Sequence, residues 1–418
     1  MKLYSHQQAI LDENPQVHGL WWECGLGKTL TAIKLIEQNV GLALVVCPKS
    51  LVENWHREIG KWSDKDVGWT VVTKEQFRSS WASLAEMKLE GLIIDEVHFF
   101  HGHKSQMHKS MMKYLRRVKP KCLYGLTATP MLASPYSVMA LRNLLGKPIS
   151  WKDFTSRYFY QMRMGRRMIW QPRKDRDHEL QHLIRSVGTT RSAKECLDLP
   201  DQIFLREDFS LNKIQRSAIK ALDDDPTLIT PIVKWTAVHQ ICGGTLKGET
   251  LSAQKTPILG VKNKAQNCAE SISRVSEYLA TEKKIVVVCR YNAELAMLKD
   301  YLADKSDFVE VINGAVKNRQ EIIDQFEDQT HGALLVNAAC SEGYNLRGVG
   351  TMIFYSLSFS LKDRVQMIGR IHGSGRGIPG VPSKYIDLVI PGTISEDVYN
   401  TISRKEDFQV ELYAKSNT

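Results

Sequence analysis

At 418 residues the chain is longer than one ordinary hydrophobic core serves, so two domains are expected. A hydrophobic content of 43% and a charged content of 24% are those of a soluble globular protein, and a formal charge of +10 suits a polyanionic partner such as nucleic acid. Eight cysteines are scattered without a Cys-x-x-Cys pair, the N-terminal MKLYSHQQAI lacks an apolar signal region, and no apolar run approaches membrane-spanning length. A disulfide framework, a structural zinc site and a membrane span are therefore set aside, leaving a soluble protein of a reducing compartment.

In chain order, the first stretch that carries chemistry is residues 19–37, GLWWECGLGKTLTAIKLIE. A short apolar run leads into a loop, and Lys28 and Thr29 then open an apolar helical segment. Strand, glycine loop, Lys-Thr and helix is the order of a phosphate-binding P-loop. Gly25, Leu26 and Gly27 would offer backbone N–H groups to an anion, with Lys28, Thr29 and Leu30 at the positive end of the helix. Lys28 would reach the β- and γ-phosphates, and the Thr29 hydroxyl would hold Mg²⁺. One position departs from the pattern: Trp22 stands where its first glycine belongs.

Continuous apolar runs follow at 42–47, 70–72, 91–94 and 122–126, separated by helix-like stretches such as 51–62 and 105–118. Strands apolar on both faces predict a parallel sheet covered by helices, with ligands at the carboxyl ends of its strands. Residues 92–98, LIIDEVH, end such a strand in two carboxylates. Asp95 is placed to hold Mg²⁺, and Glu96 to orient and deprotonate a water for in-line attack. An isolated Asp-Glu at a turn would be a solvated pair; a P-loop upstream in the same sheet gives this one a shared crevice. His98, His101, His103 and His108 come next, and they read as the end of this box and a polar loop rather than a zinc site, because no cysteine or carboxylate set completes one.

From about 132 to 280 the pattern turns more helical and more basic. Within it, residues 157–170, RYFYQMRMGRRMIW, read as a hairpin closing near Gly165. Its interleaved arginines and aromatics suit nucleic acid, with Arg163, Arg166 and Arg167 as contacts; aromatics packed on the lobe with solvated arginines is the competing reading. The strand–helix rhythm then restarts, with strands at 285–289, 308–312, 333–336, 351–355 and 385–390 and helices at 293–303, 317–326 and 361–371: a second α/β lobe.

With these segments in place the chain resembles helicase superfamily two, in its Swi/Snf-type branch. DEVH is similar to the family's Walker B box. Leu3, Tyr4, His6 and Gln7 resemble the Q motif, which implies Gln7 on the adenine. Residues 45–55, VVCPKSLVENW, resemble motif Ia, residues 71–77 motif Ib and GLTATP at 125–130 motif III. Arg319 lies at the motif IVa arginine, ACSEGYNL at 339–346 resembles motif V, and QMIGRIHGSGR at 366–376 resembles motif VI. Residues 392–405 look like the branch's C-terminal brace helix, and that branch commonly lacks the glycine replaced here by Trp22. The second motif VI arginine is replaced by Gly373, which leaves Arg370 as the finger to the γ-phosphate and Arg376 in support.

The resemblance implies two RecA-like doubly wound parallel-sheet lobes with a largely helical, basic insertion between them. The expected boundaries are 1–200, with a helical and hairpin extension from about 131, and 201–418, with a helical lead-in to about 280. It implies ATP with Mg²⁺ held between the lobes, with Lys28, Asp95, Glu96, Gln366 and Arg370 as the catalytic set. It also implies that Pro48, Lys49, Ser50, Thr73, Arg290 and Ser341 grip the phosphates of one DNA strand without reading sequence. The function expected is an ATP-dependent DNA translocase or helicase acting on duplex or branched DNA. The alternatives are the motor subunit of a restriction or defence complex, and a nucleic-acid-binding module with a vestigial ATPase. Without room for large accessory domains, a compact viral or bacterial enzyme of the cytoplasm is the expected source, with a nuclear location also open.

Overall fold

Leu42–Cys47, LALVVC, is buried along all but its first residue, as a strand covered on both faces must be, and the other central strands share this character. The computed structural model describes residues 3–100, 102, 105–128, 130, 135–164, 167–223, 231–245, 270–373 and 375–404. The chain divides into two compact units, Met1–Asp198 and Leu199–Thr418.

The first unit contains β1 (Val17–Trp22), β2 (Leu42–Cys47), β3 (Gly68–Thr73), β4 (Gly91–Asp95) and β5 (Cys122–Leu126). The hairpin strands β6 (Phe159–Met164) and β7 (Arg167–Pro172) follow, and then β8 (Gly188–Arg191). All but the hairpin form one parallel sheet in the order β3-β2-β4-β5-β1-β8. Its helices are α1 (Ser5–Glu13), α2 (Lys28–Asn39), α3 (Val52–Trp62), α4 (Lys74–Glu86), α5 (Gln106–Val118), α6 (Pro135–Leu144), α7 (Trp151–Tyr158), α8 (Asp177–Arg185) and α9 (Ala193–Cys196). The strands β4, β5 and β1 are neighbours, so the loops after them share one edge of the sheet. Behind that edge Phe77, Phe100, Met111, Tyr114, Val138 and Phe154 pack with the strand side chains into a core.

The second unit contains β9 (Gln202–Asp208), β10 (Lys284–Cys289), β11 (Val309–Ile312), β12 (Gly332–Asn337), β13 (Thr351–Phe354) and β14 (Ser383–Val389). They form a second parallel sheet, ordered β11-β12-β10-β13-β14-β9. Its helices are α10 (Lys213–Asp223), α11 (Pro231–Cys242), α12 (Glu270–Glu282), α13 (Asn292–Leu302), α14 (Arg319–Asp328), α15 (Leu361–Ile371) and α16 (Ile394–Ser403). Lys405, the last residue of the expected brace segment, lies outside the described residues.

The stretch read as mainly helical is more mixed than expected. It contains the hairpin, and it also contributes β8 to the first sheet and β9 to the second. Both are edge strands, one of four residues and the other exposed along most of its length, so neither shows the continuous apolar run that marks a buried strand. Among the described residues the cysteines are free thiols, and no helix is long and apolar enough to cross a membrane.

Candidate nucleotide site

The loop after β1 is shaped by two glycines with positive φ, Gly25 at 88° and Gly27 at 77°. Gly27 is the N-cap of α2, and a Cβ on it would lie 2.1 Å from Gln7 Nε2. That crowding reflects a brace. The Gln7 side chain donates to the Leu26 carbonyl at 3.1 Å and accepts from Tyr4 N at 2.9 Å, and His6 Nε2 also bonds Leu26 O at 3.0 Å. Gln7 thus fixes the loop as well as lying where an adenine reader is expected. Trp22, at the missing glycine, donates from its indole to Thr189 Oγ1 at 3.0 Å and meets edge-on the His6 ring that braces the loop.

Lys28 opens α2 and donates to two main-chain oxygens, Trp22 O at 2.8 Å and Glu23 O at 3.2 Å. Its ammonium charge also acts on Asp95 at the end of β4, which puts the P-loop lysine and the first carboxylate in one site. Burial, and then the neighbouring Glu96, hold the Asp95 carboxyl well above the usual range. Asp95 Oδ2 accepts from the indole of Trp55 at 2.8 Å, and Oδ1 accepts from Glu96 N at 2.9 Å. Trp55 is fully buried on α3, so a residue of the motif Ia segment orients the expected metal ligand. The Asp95 carboxylate at the end of β4 and the Thr29 hydroxyl in the first turn of α2 are hard oxygen donors of the kind that fits Mg²⁺.

Glu96 has φ of 49°, a left-handed conformation that a non-glycine residue adopts at a cost of about 1–3 kcal/mol. The strain turns its carboxylate back across the sheet edge. Oε2 lies 3.0 Å from His98 Nδ1 and accepts from Thr127 Oγ1 at 3.3 Å, while His98 Nδ1 and Thr127 Oγ1 are themselves 3.1 Å apart. The second carboxylate, the histidine of the same box and the threonine after β5 therefore form one hydrogen-bonded set. His108 belongs to α5 and bonds Phe100 O at 2.8 Å, away from this set; His101 and His103 lie outside the described residues.

In the second unit, α15 presents Gln366 and Arg370 one turn apart. Gln366 is buried and accepts from Ser341 Oγ at 2.8 Å. Arg370 donates from Nε to Gln366 O at 3.1 Å and from Nη1 to Tyr344 O. Gly373, at the position of the absent arginine, has φ of 136°, and a Cβ there would lie 3.3 Å from Arg376 Cδ. Arg376 lies over this glycine and donates to Gly369 O, so its side chain covers the surface that an arginine at 373 would have begun from.

Residues 13–83 match the SNF2-related domain family, and residues 270–375 match the helicase conserved C-terminal domain. The chain belongs to helicase superfamily two, in its Swi/Snf-type ATPase branch. It is similar to the CHD3-type chromatin-remodeling factor CHR7 of Arabidopsis thaliana, with 23% identity over 85% of this chain and 32% of that protein. It is also similar to Chromodomain-helicase-DNA-binding protein 8 of Xenopus tropicalis, at 22% identity over 89% of this chain and 19% of the relative. The ISWI chromatin-remodeling complex ATPase ISW1 of Saccharomyces cerevisiae matches at 27% over 29% of this chain and 13% of its own. The chain spans about a third or less of the length of these curated relatives.

The expected DNA contacts of this Swi/Snf-type chain fare differently from its nucleotide residues. Lys49 and Ser50 are exposed beside a buried Pro48. Thr73 caps α4, its hydroxyl accepting from Gln76 N at 3.0 Å. Arg290 follows β10, with its guanidinium 3.6 Å from the centre of the Phe359 ring. Ser341 does not suit a phosphate contact: it is 1% exposed and its hydroxyl bonds Gln366, so it joins the motif V loop to α15. Arg319, the expected motif IVa arginine and not one of the DNA contacts, donates to Asn313 O at 3.1 Å and Val316 O at 3.3 Å. In the hairpin Arg163 is exposed, whereas Arg166 and the Arg167 side chain lie outside the described residues. The role of Trp55 was not legible, because its partner lies 40 positions away and a tryptophan on an apolar helix face reads as core.

Proposed function

We propose that this protein is an ATP-dependent DNA translocase that moves along duplex or branched DNA and remodels it. The observation that carries the reading is a glycine loop with Lys28 after β1 and, at the end of β4 in the same sheet, a Glu96 held by His98 and Thr127. In this reading Lys28 exchanges the Trp22 and Glu23 carbonyls for phosphate oxygens, and the loop N–H groups from Gly25 to Gly27 share that charge. Thr29 and Asp95 would hold Mg²⁺, which would neutralise phosphate charge. Glu96 takes the proton of the attacking water, with its carboxylate aimed by His98 and Thr127. Arg370 keeps the finger role that the resemblance implies, leaving the Tyr344 carbonyl for charge that develops on a γ-phosphate.

The relatives' descriptions as chromatin-remodelling and DNA-binding proteins favour DNA as the track, and the basic balance of the chain agrees with a backbone-reading grip. A vestigial ATPase is disfavoured by the intact set of Lys28, Thr29, Asp95 and Glu96.

The test is ATP turnover with and without duplex DNA. DNA should stimulate hydrolysis, and Lys28→Ala and Glu96→Gln should each lower it about 10²- to 10⁴-fold while DNA binding persists. Affinity for duplex should fall by roughly 0.9 log units per phosphate contact for each decade of salt. Turnover indifferent to any DNA, or to either substitution, would remove the reading.

A further inference from the structure

The residues of the second unit expected to meet ATP and DNA stand past the carboxyl ends of its strands: Arg290 follows β10, and the helix of Gln366 and Arg370 follows β13. A cavity of about 420 Å³ opens at the opposite ends, where β10, β13 and β14 begin, and its lining lies outside motifs IVa, V and VI. That volume is in the range of small-molecule sites, about 300–1,000 Å³. Lys284, the first residue of β10, lines the cavity and is only 7% exposed. A lysine is almost never buried to this extent without an ion pair. This one donates to a main-chain oxygen, Glu327 O at 2.9 Å, and lies 4.6 Å from the centre of the Phe326 ring. An ammonium has three donors, so capacity for a further acceptor remains.

Gly348 stands beside that ammonium with φ of 66°, and a Cβ there would lie 3.4 Å from Nζ. Both residues line the cavity, so the glycine leaves this side of Lys284 to whatever enters it. Burial lowers the lysine's pKa, and the charges of Glu327 and Asp328 offset this only in part. A carboxylate at Nζ would supply the missing stabilisation. Lys384 and Glu282, also in the lining, already hold each other at 2.8 Å, and Thr351 Oγ1 donates to Glu282 at 3.0 Å. Ile378 and Val381, 39% and 43% exposed, add an aliphatic wall with Pro382. The main chain ties these walls to motifs V and VI: Gly348 N donates to Gly377 O at 2.8 Å, Gly377 N to Leu346 O at 2.9 Å and Leu346 N to Arg370 O at 3.0 Å.

We propose that this cavity is a regulatory site for a small aliphatic monocarboxylate. The carboxylate takes the spare donor capacity of Lys284, with Lys283 at the rim, and the apolar body lies on Ile378, Val381 and Pro382. Glu327 and Asp328 act on the same ammonium, so a single negative charge is matched and a phosphate dianion is repelled. Arg370 rests on Tyr344 O in the form that has this cavity. A ligand bound against Gly348 and Ile378 therefore favours that form and slows the turnover for which Arg370 must leave. The regulatory half of this inference rests on the ATPase reading, and the binding half does not.

The test titrates 4-methylpentanoate into the full chain by calorimetry, without ATP or DNA, with 4-methylpentanamide and inorganic phosphate as controls. Wild type should bind the carboxylate with a Kd near or below about 1 mM, and each control at least about tenfold more weakly. Lys284→Met keeps an apolar stem and removes the charge. Val381→Asp changes an exposed position, where folding is not at stake, and sets a negative charge in the aliphatic wall. Each should weaken carboxylate binding at least about tenfold. Saturating 4-methylpentanoate should lower DNA-stimulated ATP turnover of wild type at least about fivefold, and the same concentration should not inhibit Val381→Asp. No binding, equal binding of all three probes as an adventitious ion or additive only, or binding that neither substitution weakens would overturn the site. Binding that leaves turnover unchanged overturns the regulatory role. A wild type without DNA-stimulated ATPase removes the ATPase reading, and the calorimetry then decides the cavity alone.

Discussion

In the first unit the reactive groups stand at the ends of adjacent strands and hold one another: Asp95 on Trp55, Glu96 on His98 and Thr127. In the second they stand on α15 and just past its end and are held by main-chain oxygens, Arg370 on Tyr344 and Gln366 and Arg376 on Gly369. Mutual hydrogen bonds fix a geometry before any ligand arrives. A carbonyl grip does something else, because a neutral oxygen binds guanidinium more weakly than a phosphate oxygen and yields to it. Lys28 shares this second habit although it belongs to the first unit. Helix α15 supplies the contrast within its own length: Arg364 makes a two-pronged ion pair with Asp387 on β14, with Nη2 at 2.7 Å from Oδ2 and side chains 12% and 3% exposed. A carboxylate-held arginine is committed to the fold, and a carbonyl-held one is available to a ligand.

Exchanging the two arginines breaks this comparison at its strongest point. Arg370→Ala should lower DNA-stimulated ATP turnover about 10³- to 10⁵-fold and leave the urea midpoint near that of wild type. Arg364→Ala should do the reverse. It strands a buried Asp387, costs about 3–5 kcal/mol of stability, and leaves turnover per folded molecule close to wild type. If Arg364→Ala abolished turnover without loss of stability, the distinction drawn from their partners would be wrong.

Much of this arrangement is legible in the sequence, because it is local. Lys28 follows its strand and glycine loop within a few residues, and Asp95 and Glu96 end an apolar run, so pattern alone places them at strand ends of one sheet. Helix α15 is bounded by its own periodicity and by Ser360, which accepts from Asp363 N at its start. What pattern cannot deliver are bonds across long stretches of chain. Trp55 to Asp95, Thr127 to Glu96 and Ser341 to Gln366 join elements whose adjacency exists only once the sheets have formed. Edge strand β9 escaped for a related reason: Ile203, Phe204 and Leu205 are apolar but exposed, and their partner β14 lies about 180 positions away.

The bond from Trp55 sharpens the account of the first unit. A hydrogen bond to a charged group contributes about 1.5–3 kcal/mol, and here it favours the ionised form of a carboxylate that burial pushes the other way. Trp55→Phe preserves the ring and removes the N–H. The Mg²⁺ concentration that half-saturates ATP turnover should rise about tenfold, with ATP-free DNA affinity unaltered. An unchanged Mg²⁺ requirement would reduce Trp55 to a core residue.

The smallest effect separates the two units by their buried carboxylates. Both oxygens of Asp95 are bonded, but Glu294 of α13 has one that is not. Its Oε2 accepts from Tyr291 N at 3.1 Å and from Ser356 Oγ, while Oε1 is buried without a partner among the described residues, against Gly243, where a Cβ would lie 2.0 Å away. Burial pushes this carboxyl up to about 8, against the pull of Ser356 and Arg290. The unfolded chain releases the proton near 4.5 and the native one keeps it to about 8, so this group's contribution to stability declines as pH rises between those values and levels off above them. His239, held down to about 3 by burial and the charge of Arg290, acts in the opposite sense, and only below its ordinary value of 6.5. Burial raises the Cys242 thiol to about 11 and holds the Cys289 thiol well above its ordinary value, so both add a decline of their own only as unfolded thiols ionise near 9. Asp95, held up at about 7, adds a decline in the lower part of the same range, so Glu294 is isolated by difference between wild type and Glu294→Gln, where one such group changes stability by up to about 1.4 kcal/mol per pH unit. Urea midpoints from about pH 6.5 to 8 should fall more steeply for wild type than for Glu294→Gln, which remains neutral and keeps both hydrogen bonds to the carbonyl oxygen. Parallel slopes in the two proteins would mean that water reaches Oε1 and that the second unit, like the first, leaves no buried carboxylate oxygen unsatisfied.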